Sequence, residues 1–378
     1  MNHVGSLIVV MTVVALCCGC NGDEEPSQTD DVGVEDAGED ANDVDDNLLE
    51  EWPGQQIDDD PLGLDWDMPE ADDGLDVLVA NVGNVDVLRC NNVDFNMCWV
   101  EQEEIVADQI AWRSPDLILL QEVLVPEQCD ELDEGDVDDD HVCHRDHDFD
   151  EPAQVRRLVG DDYTIACDDQ NGYECVAAKV GVASIEDCDD GELCWDLARA
   201  GDEIDGCDPG FTVSAVTVDY DGTLFDVVNV HPPSDAPGVD DPQQCRHDYF
   251  DKFFGDDAPL IEQELVFVGG DFNFDPYRDS ESNPEVELWR QHVSTSFEQT
   301  SDDPDQFAYH SGIVEHDPPY WTILLMSRTW DHAISNGLKG RCVTLGAHPG
   351  EPAIDLFHGN EGERLDHLAL QCRLAIAW

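Results

Sequence analysis

Short apolar segments alternate with polar, turn-forming segments along the chain from residue 75 onward. Residues 75–82 are rich in β-branched and aliphatic side chains and are followed by a glycine, a pattern that predicts a strand. Residues 99–112 carry apolar side chains at helical spacing and are followed by Ser114-Pro115, which predicts a helix that ends there. Residues 116–123 predict a second, largely apolar strand, so these three elements form a predicted β–α–β unit.

The rest of the pattern mixes many strands with fewer helices. Residues 211–218 and 223–230 flank Asp221-Gly222, which predicts a β-hairpin. The other predicted strands lie near residues 163–167, 175–182, 265–270, 328–335 and 365–376, and the other predicted helices cover 153–159 and 243–254. Many strands with interspersed helices predict an α/β sandwich.

The first twenty residues have the features of a signal peptide. Residues 7–16 form an apolar run that is too short to span a bilayer as a mature helix and suits the core of an export signal. The run is followed by Cys17-Cys18-Gly19-Cys20, which resembles a bacterial lipoprotein cleavage site with lipidation of Cys20. We expect an exported chain anchored by lipid at a bacterial membrane, on the periplasmic or cell-surface side. Secretion with cleavage nearby is the alternative.

An acidic linker is predicted over residues 21–74. Between residues 23 and 51 there is no lysine or arginine, and nearly half of the residues are Asp or Glu. Like charges repel and little apolar surface is available to bury, so we expect this segment to be disordered. The predicted domain is residues 75–378.

Acidic side chains dominate the whole chain. The sequence has 89 Asp and Glu against 16 Lys and Arg, for a formal net charge of −73. A surface with this charge repels polyanions such as DNA unless salt or divalent cations screen it. Halophilic adaptation is one interpretation, because high salt screens the self-repulsion of an acidic surface. Drift in a chain that never meets nucleic acid is the other interpretation.

Cysteine usage also indicates export. Three of the 15 cysteines lie in the signal segment. The twelve that remain are an even number, and in an exported chain this implies disulfides. The full connectivity does not follow from sequence, although short separations favour local pairs. Examples of such local pairs are Cys90–Cys98, Cys129–Cys143 and Cys167–Cys175.

Polar side chains stand at the ends of several predicted strands. Each one alone is more typical of a turn or a surface position. Together they indicate a site, because burying a charged or polar group next to an apolar strand costs free energy unless a partner or ligand compensates it. The residues are Asn81, Glu122, His231, Asp271, Asn273, Asp331, Asp366 and His367.

In order and spacing, these residues resemble the endonuclease/exonuclease/phosphatase superfamily. The matching segments are Ala80-Asn81-Val82-Gly83, Leu-Leu-Gln-Glu at 119–122, Asn229-Val230-His231, Gly-Asp-Phe-Asn at 270–273, Trp330-Asp331-His332 and Asp366-His367. The chain departs from the family pattern at Ala80, where an aromatic residue is common, and at Leu365, where serine is usual. The resemblance implies a four-layer α/β sandwich of two packed, mainly antiparallel sheets flanked by helices.

The resemblance also implies a metal site and a general base. Glu122, with Asn81 and Asp366, would hold Mg²⁺, or Mn²⁺ or Ca²⁺ in its place, because hard cations prefer oxygen ligands. His367 would be the general base, and Asp331 would orient it and stabilise the imidazolium.

The three remaining residues would act on the phosphoryl group. Asp271 would position the attacking water or the metal, and Asn273 and His231 would donate hydrogen bonds. The implied function is an exported, metal-dependent phosphoesterase that hydrolyses phosphodiester bonds in nucleic acid, a phospholipid or a small molecule. We expect a monomer and see no protein partner in the sequence. The alternative is a non-catalytic acidic surface scaffold or cation-binding protein on the same fold, although the complete motif set favours an enzyme.

Overall fold

A computed structural model of the chain describes part of the sequence from residue 74 to residue 376. The described residues are 74–83, 97–124, 129, 141–143, 153–168, 174–195, 199–200, 204, 207, 213–233, 241–254, 258–276, 279, 282–293, 298–299, 311–315, 324–328, 331–345 and 369–376. The predictions for four parts of the sequence stay untested predictions because they lie outside these ranges: Cys20, the acidic linker up to residue 73, Asp366 and His367. No helix among the described residues is long and apolar enough to cross a membrane.

The described elements alternate strands with helices. In chain order they are β1 (Leu75–Asn81), α1 (Val100–Arg113), β2 (Leu117–Gln121), α2 (Gln154–Val159), β3 (Tyr163–Cys167), β4 (Cys175–Lys179), β5 (Ala183–Ile185), β6 (Leu193–Trp195), β7 (Arg199–Ala200), β8 (Ser214–Tyr220), β9 (Thr223–Val230), α3 (Pro242–Phe254), β10 (Val266–Asp271), α4 (Pro284–His292), β11 (Glu298–Gln299), β12 (Ser311–Glu315), β13 (Leu324–Arg328), β14 (Asp331–Ser335), β15 (Leu338–Thr344) and β16 (Leu370–Ile376).

Two sheets contain all but two of these strands. Sheet I has the order β15-β16-β1-β2-β4-β3-β6. Sheet II has the order β11-β14-β10-β9-β8-β5, and β7 also pairs with β8. In the described part of the chain, only β1–β2, β3–β6 and β9–β10 pair in parallel, so both sheets are mainly antiparallel. Strands β12 and β13 form a separate antiparallel pair.

The two sheets pack face to face through an apolar layer, which we call the inner layer. Alternate residues of a strand point to the same face. Val77 and Val79 of β1 therefore both lie in the inner layer, where they join Phe225 and Val227 of β9 in one buried cluster. A shift of one residue in any of these strands would replace this apolar set with the other face of the strand, so the apolar pattern fixes the register.

Helices cover the outer faces of both sheets. Helices α1 and α2 pack on sheet I through residues such as Ile110 and Leu158. Helices α3 and α4 pack on sheet II through aromatic residues such as Phe250 and Trp289. The order helix, sheet, sheet, helix confirms the predicted four-layer α/β sandwich.

The predicted elements match the structure most closely where the pattern is strongest. Strand β1 ends at Asn81, one residue before the predicted end, and α1 begins at Val100, one residue after the predicted start. The hairpin at Asp221-Gly222 is confirmed, with φ of 51° and 78° at its two turn residues. Strand β8 runs to Tyr220 rather than residue 218, because the two-residue turn keeps the strands paired up to the turn.

Disulfides link several neighbouring segments. Two of the three candidate pairs, Cys129–Cys143 and Cys167–Cys175, are confirmed. The third, Cys90–Cys98, involves Cys90, which lies outside the described residues. Three further pairs are also present: Cys188–Cys194, whose separation of 6 residues is shorter than that of either confirmed pair, Cys207–Cys245 and Cys342–Cys372.

The close approach of β9 and β10 requires a glycine at position 270. Its φ is +144°, and a Cβ there would lie 2.1 Å from the Val230 carbonyl oxygen.

We expect Gly270→Ala to lower the free energy of unfolding by about 3 kcal/mol, because it adds both overpacking and backbone strain. The control is Gly222→Ala, whose Cβ meets nothing within 4 Å. It should cost only about 1 kcal/mol. Denaturant unfolding measures both, and equal losses would contradict the steric argument.

Candidate active site

The inner layer changes from apolar to polar at one edge of the sandwich. The alternation that places Val79 in the core places Asn81 next in the same layer, at the end of β1. In β9, the residue after Val227 on this face is Asn229, and the next is His231. The corresponding polar residues on the neighbouring strands are Gln121, Glu174, Asp271 and Asp331. Period-two alternation therefore gathers side chains from six chain segments at one edge.

The Asn81 amide links two carboxylates from different sheets. Its Nδ2 donates to Glu122 Oε1 at 2.9 Å and lies 3.4 Å from Asp271 Oδ2. Its Oδ1 accepts a hydrogen bond from the backbone of Gly83 at 3.0 Å. This last bond fixes the side chain at the point where β1 ends. The ends of β1, β2 and β10 are therefore joined through one buried amide.

His231 lies at the centre of the carboxylates. Its Nε2 is 3.2 Å from Glu122 Oε1 and 3.8 Å from Asp271 Oδ2, and its Nδ1 is 3.6 Å from Glu174 Oε1. Its backbone N–H donates to the Tyr249 hydroxyl of α3 at 3.1 Å. The imidazole thus contacts carboxylates through both ring nitrogens, and a charged imidazolium would donate to both sides.

The surroundings of His231 favour its protonated form. Burial alone would lower its pKa, but hydrogen bonds to Glu122 and Glu174 and the charges of Glu122 and Asp271 outweigh burial and raise the pKa well above 6.5. Burial raises the pKa of Glu174, and its contact with His231 opposes this rise. Three carboxylates around one imidazole leave an excess of negative charge whenever all three are ionised.

The backbone at two site residues adopts the left-handed region. Glu122 has φ of 57° and Asn273 has φ of 53°. Asn273 is anchored by its own loop, because its backbone N–H donates to Asp271 Oδ1 and its side-chain Nδ2 donates to the Pro232 carbonyl, each at 2.8 Å. A non-glycine residue in this region costs free energy, and such residues concentrate at functional sites. The turn at Glu122 directs its side chain into the cluster, and the turn at Asn273 places its side chain against the carbonyl of Pro232, next to His231 in the chain.

Asp331 lies beside the cluster in the register of sheet II. It is the first residue of β14, is buried, and pairs with Asp271 of β10. The next residue, His332, points to the other face and packs against Phe272 and Trp289 of the outer aromatic core. The predicted base His367 and the predicted ligand Asp366 are outside the described residues, so the structure does not place them relative to Asp331.

Glu174 belongs to the cluster but was not predicted from the sequence. It precedes β4 and its side chain contacts His231 across the two sheets. Strand β4 is antiparallel to β2, so the beginning of β4 lies next to the end of β2. Counting back by two from the inner residues Ala178 and Val176 leads to position 174, so alternation was the signal that could have identified it.

A second missed feature is the polar link between the sheets behind the cluster. The Asn229 side chain of β9 donates from Nδ2 to the carbonyls of Leu120 and Cys175 in sheet I, at 2.8 and 3.0 Å. Its Oδ1 accepts from Gln121 Nε2 at 2.5 Å. Each of these three partners is next to or two residues from Glu122 or Glu174. The link therefore fixes the strands of sheet I that carry two of the site carboxylates.

Two carboxylates of the cluster are the type of oxygen donor that a hard divalent cation binds. Glu122 Oε1 and Asp271 Oδ2 converge on the same amide, and oxygen ligands of this kind suit Mg²⁺ or Ca²⁺. The excess negative charge around His231 also favours a cation. Within the residues that the structure describes, no group of three or more His, Cys, Asp and Glu side chains is arranged to hold a metal ion. The third predicted ligand, Asp366, lies outside them.

The layer order and strand order define the class of fold. Two mainly antiparallel sheets packed face to face and flanked by helices are the α/β sandwich of the endonuclease/exonuclease/phosphatase proteins, also called the deoxyribonuclease-I-like fold. No family model matches this chain, and no curated protein matches it.

Solved structures with this fold resemble the chain over most of its length. A humanized TDP2 from D. rerio with 14 mutations has a TM-score of 0.50 at 12% identity, covering 80% of this chain and 99% of its own. Selenomethionine TDP2 from Caenorhabditis elegans has a TM-score of 0.50 at 13% identity, covering 80% of this chain and 74% of its own. An endonuclease/exonuclease/phosphatase from Bacteroides vulgatus has a TM-score of 0.49 at 13% identity, covering 80% of this chain and 99% of its own. At these identities the likeness to the two TDP2 structures shows the fold alone.

In the presence of a chelator, we expect the His231 imidazole to titrate well above pH 6.5, because its carboxylate neighbours favour the charged form. A group with a raised folded-state pKa stabilises the fold fully below its unfolded pKa, and this stability is lost as pH rises through the folded value. Imidazole resonances in NMR, assigned with His231→Asn, measure the pKa. Glu174→Gln should lower it. A pKa at or below 6.5 in the unaltered protein would contradict the assignment.

Proposed function

We propose that the chain is an exported, metal-dependent phosphoesterase that hydrolyses phosphodiester bonds. The observation that carries this proposal is the convergence of Asn81, Glu122, His231 and Asp271 within 4 Å contacts, although they come from four separate segments. Burying acids and amides costs free energy unless they form hydrogen bonds with one another or bind a ligand. Their arrangement at a single edge of the sandwich supports a site for a charged substrate.

The chemistry requires an attacking water, neutralisation of the phosphoryl oxygens and stabilisation of the leaving oxygen. Protonated His231 can donate a hydrogen bond to a phosphoryl or leaving oxygen. Asn273, held beside it by the Pro232 carbonyl, offers an amide to the same group. Asp271 can accept a hydrogen bond from the attacking water and orient it. These groups are fixed before substrate arrives, which is the condition for electrostatic stabilisation of a transition state.

In this proposal, Glu122 and Asn81 hold the metal together with Asp366. When bound, Mg²⁺, Mn²⁺ or Ca²⁺ would neutralise charge on the non-bridging oxygens. The geometry supports this by placing the Glu122 carboxylate and the Asn81 side chain in contact after the ends of two parallel strands. Asn81 would bind the cation through its Oδ1, the atom that accepts a hydrogen bond from the Gly83 backbone.

His367 is the proposed general base and Asp331 its partner. The support is the position of Asp331, which lies opposite Asp271 in the β10–β14 register. A histidine oriented by Asp331 would therefore act on the water that Asp271 positions. This division of roles matches the requirement that a base be held and stabilised by a neighbouring acid.

The contacts of three arginines indicate how much negative charge the substrate can carry. Arg156 donates to three backbone carbonyls, Arg157 pairs with Glu103, and Arg246 pairs with Glu285 inside the helix layer. These cations hold the fold together and are not available to phosphates. With a net charge of −73, the chain favours a phosphodiester of low charge, such as a small molecule or a phospholipid, over nucleic acid at low salt. Nucleic acid remains a substrate under this proposal where salt screens the repulsion.

Export and lipid anchoring at Cys20 are part of the same proposal. Five disulfides in the described residues support an oxidising compartment. We propose a monomer that acts at the periplasmic or cell-surface side of a bacterial membrane.

The carboxylate of Glu122 should be essential. We expect hydrolysis of bis-p-nitrophenyl phosphate to require a divalent cation and to fall by at least about 10²-fold in Glu122→Gln, because the variant removes a ligand charge. The control is Glu186→Gln, the same change at an exposed position of the β5–β6 turn, which should keep full activity. Near-normal turnover in Glu122→Gln, with both variants folded, would contradict the assigned site.

The response to salt should depend on substrate charge. Plasmid cleavage, measured relative to bis-p-nitrophenyl phosphate hydrolysis, should rise by at least about tenfold from low salt to about 1 M NaCl, because salt screens repulsion between the acidic surface and DNA. A nuclease with a basic groove shows the opposite trend, because salt weakens its phosphate contacts. A ratio that falls with salt would contradict this argument, because it would show that cationic side chains of the chain bind the polymer.

A further inference from the structure

The disulfide between Cys167 and Cys175 lies next to the cluster. Strands β3 and β4 are antiparallel, and Cys167 and Cys175 are the last pair in their register at the edge of the sandwich that carries the site. Beyond this pair, the Asp168 backbone N–H donates to the Glu174 carbonyl at 3.2 Å. The disulfide is therefore one residue away from the carboxylate that contacts His231.

Glu174 has few bonds of its own to hold it there. Its Oε1 is 3.6 Å from His231 Nδ1, and none of the described residues donates a hydrogen bond to its Oε2. The side chain is only 7% exposed, and Asp168, whose charge acts on it, is also buried. Burial and like charge both oppose an ionised carboxylate at this place. Something other than its own hydrogen bonds must keep the carboxylate against the imidazole.

Cys175 is held from two sides. The disulfide ties it to β3 within sheet I, and its carbonyl accepts a hydrogen bond from Asn229 of sheet II at 3.0 Å. Asn229 is two residues before His231 on the same face of β9. The disulfide, the Asn229 amide and His231 therefore form one connected path. Cross-linking a hairpin removes the freedom of its two strand ends to separate.

We propose that the Cys167–Cys175 disulfide positions Glu174 against His231 and through it sets the rate of the phosphoesterase reaction. Cys167 and Cys175 are positioning residues, because neither touches the reacting atoms. This inference rests on the proposed function for its kinetic consequence, but the position of Glu174 against the imidazole is measurable without turnover.

Another disulfide provides a matched comparison. Cys188–Cys194 closes a loop of similar length, with a separation of 6 residues against 8. It joins the segment after β5 to β6, on the far side of β3 from the cluster. The two bonds should constrain the unfolded chain to a similar extent, since this effect depends on loop length. Only the Cys167–Cys175 bond is next to a residue that contacts His231.

The test compares full-length chains carrying paired substitutions. In Cys167→Ala/Cys175→Ala, kcat for bis-p-nitrophenyl phosphate should fall about ten- to hundredfold, with KM within about twofold, because the groups that act in the reaction are misaligned. Cys188→Ala/Cys194→Ala should lose a similar amount of thermal stability and keep its kcat within about twofold. An unchanged kcat in Cys167→Ala/Cys175→Ala, at the same loss of stability, would overturn the proposal.

A double-mutant cycle with Glu174→Gln tests whether the Cys167–Cys175 disulfide changes kcat through Glu174. If the disulfide acts through Glu174, its removal in the Glu174→Gln background should lower kcat no further, whereas independent effects would multiply. Multiplied losses would overturn the proposal.

A structural readout separates this inference from the proposed function. If the unaltered protein hydrolyses no phosphodiester, the proposed function fails, and the imidazole ¹⁵N shifts of His231 at one fixed pH decide the inference alone. In Cys167→Ala/Cys175→Ala these shifts should move toward those of Glu174→Gln and remain unchanged in Cys188→Ala/Cys194→Ala. Shifts unaffected by loss of the Cys167–Cys175 bond would overturn it.

Discussion

The buried side chain of Asn229 joins the two sheets at the edge where the inner layer becomes polar, and the site depends on this link. Its three hydrogen bonds reach Leu120, Gln121 and Cys175 of sheet I. A buried amide left without these partners would cost more than the bonds contribute, so the sheets are constrained to one alignment. That alignment brings strand ends of sheet I, with their amide and carboxylates, against those of sheet II.

The charges of the clustered side chains determine which ligands this edge of the sandwich can bind. Glu122, Glu174 and Asp271 surround His231, and the imidazolium compensates only part of their charge. A divalent cation would compensate more, and a phosphodiester anion could then enter an otherwise repulsive site. The acidic excess outside the cluster differs, because the sequence has too few lysines and arginines to neutralise it. Under the proposed function, the long-range repulsion of the surface would govern substrate choice, whereas the short-range contacts of the cluster would govern the reaction.

Most of the fold was predictable because its strands have simple patterns. The apolar run of β2, the alternation around Asp221-Gly222 and the helical spacing of α1 all gave elements close to those observed. Asn81, Glu122, His231 and Asp271 were predictable as a group because each stands at the end of a strand or directly after it. Glu174 was not, since it precedes its strand and lies in no recognised segment. Cys207–Cys245 escaped prediction because its cysteines, 38 residues apart, meet only after tertiary packing. Cys188–Cys194, with a separation of 6 residues, fits the short-separation argument but was not named.

The central claim is that these strand ends form one metal-loaded phosphoesterase centre completed by the terminal Asp366-His367 segment. Its most direct test is a crystal structure of the chain grown with Mn²⁺, with the metal located by anomalous scattering. The account predicts a peak within about 2.2 Å of a Glu122 carboxylate oxygen, with Asp366 as a further ligand, since hard divalent cations bind carboxylates at such distances. It also predicts His367 hydrogen-bonded to Asp331. A metal bound elsewhere, or an Asp366-His367 segment remote from Glu122 and Asp331, would contradict the claim.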